Sequence, residues 1–459
     1  MIGTYTELLE KVALCPLPLA FKLDALQTVA MSKIEHNFVN TTIKEEQLET
    51  FDKLLVKTLR RVFSIETNTT VRTFFQNKSK GGLGVRKPSI IYRAARVNFL
   101  IHMLNHNDEN FRFVARKSFE IDMTKRGVLR SDAENNFLGY NLKESGHLDT
   151  NIKGGFGVQS DWPQLCLLAR KLSIRILWEN ANVGDLMLAG KAYIRHNNRD
   201  FRDEKLIRKK LIEIQLALDG NILSSLPMQG TTFALDDADY LLSQNIFKNF
   251  KLSDKLIQFW YKARHNVIPC NYTLSLWYPQ HEPACTIDNY PKETVSHLLN
   301  SCKNFKDNYS KRHDRIVDKL SEELSDYWNV IGVNKMITTV LPGIDFSNPL
   351  KPDIVIRNKK QVKIIDIACP YDLHLESTYN QKILYYNDLK QNILTSGLEC
   401  EVYAIVIGSL GIVHNKALKT LQTLQMPKTR SKGFLKWAST SNIIAAKIIW
   451  NVRCRLVNE

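Results

Sequence analysis

What this 459-residue sequence lacks narrows its reading first. It has no run of about 18 apolar residues, so no membrane span is expected. The longest candidate, VYAIVIGSLGIV at 402–413, is short and fits a buried strand. The N-terminus has no basic start, and Pro16 and Pro18 interrupt its apolar stretch, so no secretory signal is visible. The eight cysteines (Cys15, Cys166, Cys270, Cys285, Cys302, Cys369, Cys400, Cys454) are scattered, mostly in apolar contexts. That suits a reducing compartment better than a disulfide framework. There is no internal repeat and no low-complexity tract. Acidic residues are in deficit, 47 against 63 Lys and Arg, which leaves a formal charge of +16. Such an excess points to a polyanionic partner, nucleic acid before membrane. A generally basic protein without such a partner is the plainer alternative.

The chain is too long for one ordinary domain, and two to four are expected. Residues 1–110 read as helical: Leu48, Phe51, Leu55 and Val62 recur at helical spacing, with Lys53, Lys57, Arg60 and Arg61 in the same segment. The turn at 78–84, KSKGGLG, needs a permissive backbone. A further helix carries Ile90, Ala94, Val97, Ile101 and Leu104 on one face. The polar stretch 105–160 reads as a loop-rich linker. Helices are expected again near 163–180 and 203–218, the latter with Ile207, Leu211, Ile214 and Leu218 inward, Lys205, Arg208 and Lys209 off that face, and Gly220 as C-cap. A charged helix is expected at 303–325. From 350 onward the order is strand, strand, helix, strand, helix.

Three constellations bear on chemistry. The first is KPDIVIRNKKQVKIIDIA. Asp353 opens one apolar run and Asp366 lies thirteen positions later inside a second. If 354–356 and 362–367 pair as a hairpin, the carboxylates converge. Asp366 sits within Ile364-Ile365 and Ile367-Ala368-Cys369, where a charge is costly unless paired or bound to metal. Two carboxylates and a phosphate suffice for Mg²⁺, which lowers the pKa of a bound water. Lys382 on the following helix could orient that water or stabilise charge, and Glu376 could join the metal shell. This is the working set of a metal-dependent nuclease; incidental surface acids on a hairpin are the bland alternative.

The second runs Cys285, two residues, Asp288, eight residues, His297, four residues, Cys302. It has the order of a zinc knuckle, with Asp288 where a second cysteine is expected. Cys270 lies outside knuckle spacing. The third, Phe233 to Asp237, has the paired aspartates of a polymerase but lacks the aromatic two positions before Asp236, and reads as a solvated acidic turn.

Together these blocks resemble the C-terminal half of the Pol protein of site-specific non-LTR retrotransposons that carry a restriction-like endonuclease. PLPLAFKLDALQT, FDKLLVKTLRRVF and GGLGV look like the thumb that follows a reverse-transcriptase palm. Residues 240–270 look like the linker before the family's knuckle, ACTIDNYPKETVSHLLNSC like the knuckle, and YSKRHDRIV like the basic helix after it. KPDIVI, VKIIDIACPYD and YNQK look like the nuclease core, and VYAIVIGSLG like its third strand. The resemblance implies a multidomain α and α/β chain. Its parts are a helical thumb-like domain at 1–110, a mostly helical linker at 111–280, a degenerate zinc knuckle at 281–305, and a restriction-endonuclease-like domain with a mixed sheet at 306–459.

The resemblance further implies target-primed reverse transcription, in which the nuclease nicks chromosomal DNA and the exposed 3′-OH primes copying of element RNA. Asp353 and Asp366 match the carboxylates that hold Mg²⁺ or Mn²⁺. Lys382 matches the lysine displaced onto the next helix; Ala368 stands where ordinary restriction-type nucleases carry it. Arg312 and His313 match a basic pair expected near DNA, and Lys57, Arg60 and Arg61 are further expected nucleic-acid contacts. The knuckle implies Zn²⁺ on Cys285, Asp288, His297 and Cys302. Tyr385-Tyr386 stands where a second lysine followed by tyrosine is usual. The palm would lie before residue 1, so the chain is expected to be a truncated element copy or partial gene model that does not polymerise DNA. Expected partners are target DNA and element RNA, with no membrane and no small-molecule substrate, and the expected location is the nucleus. A non-catalytic nucleic-acid-binding remnant is the alternative.

Overall fold

The computed structural model describes residues 1–125, 162, 168–169, 171–178, 190–248, 252–346 and 348–458. They form two compact units. The first comprises Met1–Cys15, Lys22–Leu59 and Val85–Asn221, and the second Pro16–Phe21, Arg60–Gly84 and Ile222–Glu459. Helices dominate, with small sheets in both units, so the chain is multidomain and combines helical with α/β structure. No described helix is long and apolar enough to cross a membrane.

The first unit is built on α1 (Ile2–Leu14), α2 (Ser32–Asn40), α3 (Glu45–Phe63, its last turn in the second unit), α4 (Pro88–Leu104) and α5 (Glu109–Lys125). The helical faces legible in the sequence are buried: Leu48, Phe51 and Leu55 on α3, and Ile90, Ala94, Val97, Ile101 and Leu104 on α4. Tyr5, Phe38, Phe51 and Tyr92 meet ring to ring at 5.4–6.0 Å, a separation that favours edge-on aromatic contact.

Three expectations for this unit are corrected. Residues 109–125 of the expected linker are helical, and the Asp108 side chain accepts the Phe111 N–H (2.9 Å) at the helix start. Residues 126–160 lie outside the described residues. Of the helix expected at 163–180, residues 168–169 and 171 are helical but 175–178 form a strand, β1 (Arg175–Trp178), paired antiparallel with β2 (Ala192–His196), which pairs with β3 (Arg199–Phe201); 163–167, 170 and 179–180 lie outside the described residues. Asn197 and Asn198, both at positive φ, make the two-residue turn that β2–β3 requires. Third, α6 (Glu204–Ser224) runs through Gly220 rather than stopping at it, and Leu218 is exposed although Ile207, Leu211 and Ile214 are buried.

The second unit holds α7 (Asp254–Arg264), α8 (Val295–Asn300), α9 (Lys306–Leu324), β4 (Asn329–Val333), β5 (Ile354–Asn358), β6 (Gln361–Ala368), α10 (Leu375–Tyr385), α11 (Asn387–Thr395), β7 (Glu399–Val406) and α12 (Lys428–Asn458). The sheet order is β4-β5-β6-β7, antiparallel except for the parallel β6–β7 pair. The mixed sheet and three of its strands agree with the sequence reading; β4 is an addition. Strand alternation sets the two faces. Ile354, Ile356, Ile365 and Ile367 pack with Ile316, Val317, Leu320 and Leu324 of α9 and Phe434, Leu435 and Ala438 of α12. Val355, Val362 and Ile364 pack with Tyr386, and with Leu389 and Ile393 of α11.

The KSKGGLG turn has Gly81 and Gly84 at positive φ, and a Cβ on Gly82 would lie 2.1 Å from the Gln76 carbonyl. The 236–237 turn is not merely solvated: Asp237 accepts the Glu376 N–H (2.9 Å).

The segment before α8 is tied to the end of α12 by a buried ion pair. Glu293 Oε1 accepts from Arg453 Nη2 (2.6 Å) and Nε (3.1 Å), and from the Asn271 N–H (2.9 Å). Glu293 is fully buried, so Arg453→Met leaves its charge uncompensated. The expected cost is ~3–5 kcal/mol, read as a lower denaturation midpoint. Adding Glu293→Gln to the same chain is expected to restore much of it.

Candidate active site and metal-binding cluster

The β5–β6 register fixes the first site. Ile354 pairs with Ile365, so one residue further the register sets Asp353 opposite Asp366, with both side chains on the face of Val355 and Ile364. Even-numbered residues of β6 bond toward β7, as Ala368 does in accepting the Ile407 N–H. Ile367 therefore turns its N–H and carbonyl toward β5. The residue that would pair with it there is Pro352, which has no N–H to give. Side chains supply what the ladder does not. Asp353 Oδ2 accepts the Ile367 N–H (2.7 Å), and His313 Nε2 lies 3.1 Å from the Ile367 carbonyl.

The rest of the centre comes from the helices on either side. Lys382 Nζ of α10 lies 2.9 Å from Asp366 Oδ2. The Tyr386 hydroxyl donates to Asp366 Oδ1 (2.8 Å). His313 Nε2 of α9 is 3.1 Å from Asp353 Oδ2, and its Nδ1 is 3.0 Å from Asp314 Oδ1. Asp366 is buried. Burial first, and then the Asp353 charge, raise its carboxyl above the ordinary range, opposed by the Lys382 ammonium and the Tyr386 hydroxyl. Burial works to lower the His313 pKa, but the hydrogen bond and charge of Asp353, and then Asp314, outweigh it and hold the ring up at about 9. Two facing carboxylates with a carbonyl beside them can take a hard divalent cation, and the lysine adds a fixed positive charge.

Asp353, Asp366 and Lys382 are thus brought together. Glu376 has other partners: His414 Nε2 and Lys416 Nζ each lie 2.7 Å from its carboxylate, which is held down to about 2 chiefly by those hydrogen bonds, Lys416 first. Arg312 is corrected. It is buried, donating to the carbonyls of Leu299 (2.9 Å) and Cys369 (3.1 Å), so it ties the end of α8 to the end of β6 rather than facing solvent. Arg60 is half-buried and donates to the carbonyls of Glu66 and Thr69, holding a loop, whereas Lys57 and Arg61 are exposed. The sequence reading missed the contact of His313 with Asp353 and the hold of Tyr386 on Asp366. A signal for the first was present. His313 and Arg312 fall on the stripe of Ile316, Val317, Leu320 and Leu324, one turn earlier.

The second site is the Cys/Asp/His cluster. Cys285 and Asp288 sit in a tight turn, closed by Cys285 N–H to the Tyr290 carbonyl (2.8 Å) with Asn289 at positive φ. Thr294 caps α8 by accepting the His297 N–H (3.0 Å), and the Cys302 N–H returns to the His297 carbonyl (2.9 Å). One ligand atom from each of Cys285, Asp288, His297 and Cys302 lies within 4.8 Å of every other, so the group could hold a metal ion. Its donor chemistry fits one. The buried His297 Nε2 forms no hydrogen bond of good geometry, its neighbour being Asp288 Oδ1 at 3.2 Å. Tyr290 stacks on the His297 ring at 4.5 Å. Burial pushes the Cys285 thiol up to about 12 and raises that of Cys302, so metal entry must release their protons. Burial works to raise Asp288, but the backbone N–H groups of Lys303 and Tyr290 outweigh it and hold the carboxyl down at about 2.

No protein-family model matches the chain, and no curated protein matches it.

The His313 environment gives a pH prediction. Its folded pKa is above the ordinary value near 6.5. The ion pair's contribution to stability is therefore complete below that value and is lost as pH rises through about 9. An NMR titration of the His313 ring should show a midpoint well above 6.5 that falls toward it in Asp353→Asn. An unshifted midpoint in the unmodified chain would contradict the geometry.

Proposed function

We propose that the second unit is a Mg²⁺- or Mn²⁺-dependent DNA endonuclease. On this reading the chain is the C-terminal part of the Pol protein of a site-specific non-LTR retrotransposon, and it nicks target DNA to start target-primed reverse transcription. The observation that supports this most is the pairing of Asp353 with Asp366 across β5 and β6, with Lys382 within 2.9 Å of the second carboxylate. A structural role does not call for two buried acids at facing positions beside a lysine from a separate helix.

The bound ion would be held by Asp353 and Asp366 and would supply Lewis acidity toward the scissile phosphate and a more acidic water. The chain's own residues do the rest. The Ile367 N–H and the β5–β6 ladder fix Asp353, and Tyr386 fixes the angle of Asp366. Lys382 keeps a positive charge where the phosphoryl oxygens gather negative charge. Element RNA is the second proposed partner, with Lys57 and Arg61 as exposed cations available for backbone contact, and the nucleus is the proposed location. Zn²⁺ is the proposed occupant of the second cluster, because two thiolates and an imidazole select it over harder ions.

Nicking of supercoiled plasmid by the full chain with Mg²⁺ tests this. The expected result is nicked circles from the unmodified chain and a loss of roughly a hundredfold or more in Asp353→Ala, Asp366→Ala and Lys382→Ala. Salt-sensitive DNA binding without cleavage by any of them would favour a nucleic-acid-binding remnant. Elemental analysis checks the second site. About one zinc per chain is expected, and Cys302→Ser or His297→Ala should lose it.

A further inference from the structure

His313 carries the inference. Its Nε2 is equally far, 3.1 Å, from a carboxylate oxygen of Asp353 and from the Ile367 carbonyl oxygen. Those two oxygens are of the hard type that a small divalent cation takes. Both point to one place, because Pro352 leaves the Ile367 carbonyl without a ladder donor and Asp353 folds its carboxylate over the Ile367 N–H. A ring N–H and a metal ion cannot both fill that place. The ring has somewhere else to go. Nδ1 already lies 3.0 Å from Asp314, whose side chain is about half exposed. Asp353 also has a second hold, the 2.7 Å bond from the Ile367 N–H, so it does not need His313 to stay in position.

We propose that His313 competes with the divalent cation of the Asp353/Asp366 centre: its ring N–H fills the space between Asp353 Oδ2 and the Ile367 carbonyl, and turns out toward Asp314 when the ion enters. The proposal rests on the metal-site part of the nuclease reading and adds to it a built-in threshold, since the centre loads only when the ion outcompetes the ring. The sign separates this role from simple support. If His313 supported Asp353, removing it would weaken ion binding; as a competitor, its removal strengthens binding.

The test uses the full chain with its Cys/Asp/His cluster first filled with Zn²⁺, and Mn²⁺ as probe, free ion being counted by its electron paramagnetic resonance signal. The binding that counts is the part abolished by Asp353→Asn. His313→Asn and His313→Ala are both made; Asn keeps a polar side chain at the position and guards against loss of the fold, which circular dichroism monitors. Both are expected to bind Mn²⁺ roughly tenfold more tightly than the unmodified chain, the worth of one hydrogen bond to a charged group. Equal or weaker binding in both, with Asp353-dependent binding present in the unmodified chain, overturns the competition and leaves the metal site standing. Absence of Asp353-dependent binding in every chain, the His313 variants included, overturns the metal site itself and the competition with it.

Discussion

The hydrogen bond from the Ile367 N–H to Asp353 holds the centre together, and its origin is a shortage. Strand β5 begins at Ile354, and the position that would continue its ladder is a proline without a donor. Ile367 is left with an N–H and a carbonyl facing outward at the end of a buried sheet, where unsatisfied backbone groups are costly. The Asp353 carboxylate takes the N–H, and in doing so is drawn to the register position opposite Asp366. The second acid then needs a countercharge, which α10 delivers through Lys382. A Pro-Asp pair at the head of a strand thus sets where the first carboxylate points and which carbonyl is left for His313 to meet.

Much of this centre was legible in the sequence. A thirteen-residue separation with a four-residue polar turn between apolar runs leaves few registers, and the observed one pairs the two acids. The spacing of Cys285, Asp288, His297 and Cys302 likewise foretold a cluster whose ligand atoms meet. What could not be read was partner choice by long side chains. Glu376 lies about 240° of helix before Lys382 and so does not share that lysine's face, but its partners His414 and Lys416 are remote in sequence and only packing brings them to it. Arg312 was readable but misread. The family resemblance set it near DNA, whereas its helical phase with Ile316 and Leu320 gave the interior.

In the fold, strong periodicity held and composition misled. The buried faces of α3 and α4 followed from spacing alone. The polar stretch after 105 looked like loop because it is rich in Asn and Asp, yet 109–125 is helix, begun by the Asp108 cap. The β1–β3 sheet was missed because Ile176, Leu177 and Trp178 form a short apolar run that fits helix or strand equally by period. The Asn197-Asn198 turn between β2 and β3 was the signal that could have separated them. The Cys/Asp/His cluster and the acid centre also share supports. Arg312 and Asn300 both donate to the Cys369 carbonyl just past β6, so the end of α8 is fastened to the strand that carries Asp366.

The central claim, that the end of β5 and β6 is a cation site, is tested most directly by diffraction. Crystals of the chain soaked in Mn²⁺ and measured at the manganese edge should give an anomalous peak between the carboxylates of Asp353 and Asp366, with the His313 ring turned away from the Ile367 carbonyl. A map with no peak there, and with His313 and Lys382 still closed on the two acids at saturating Mn²⁺, would contradict it.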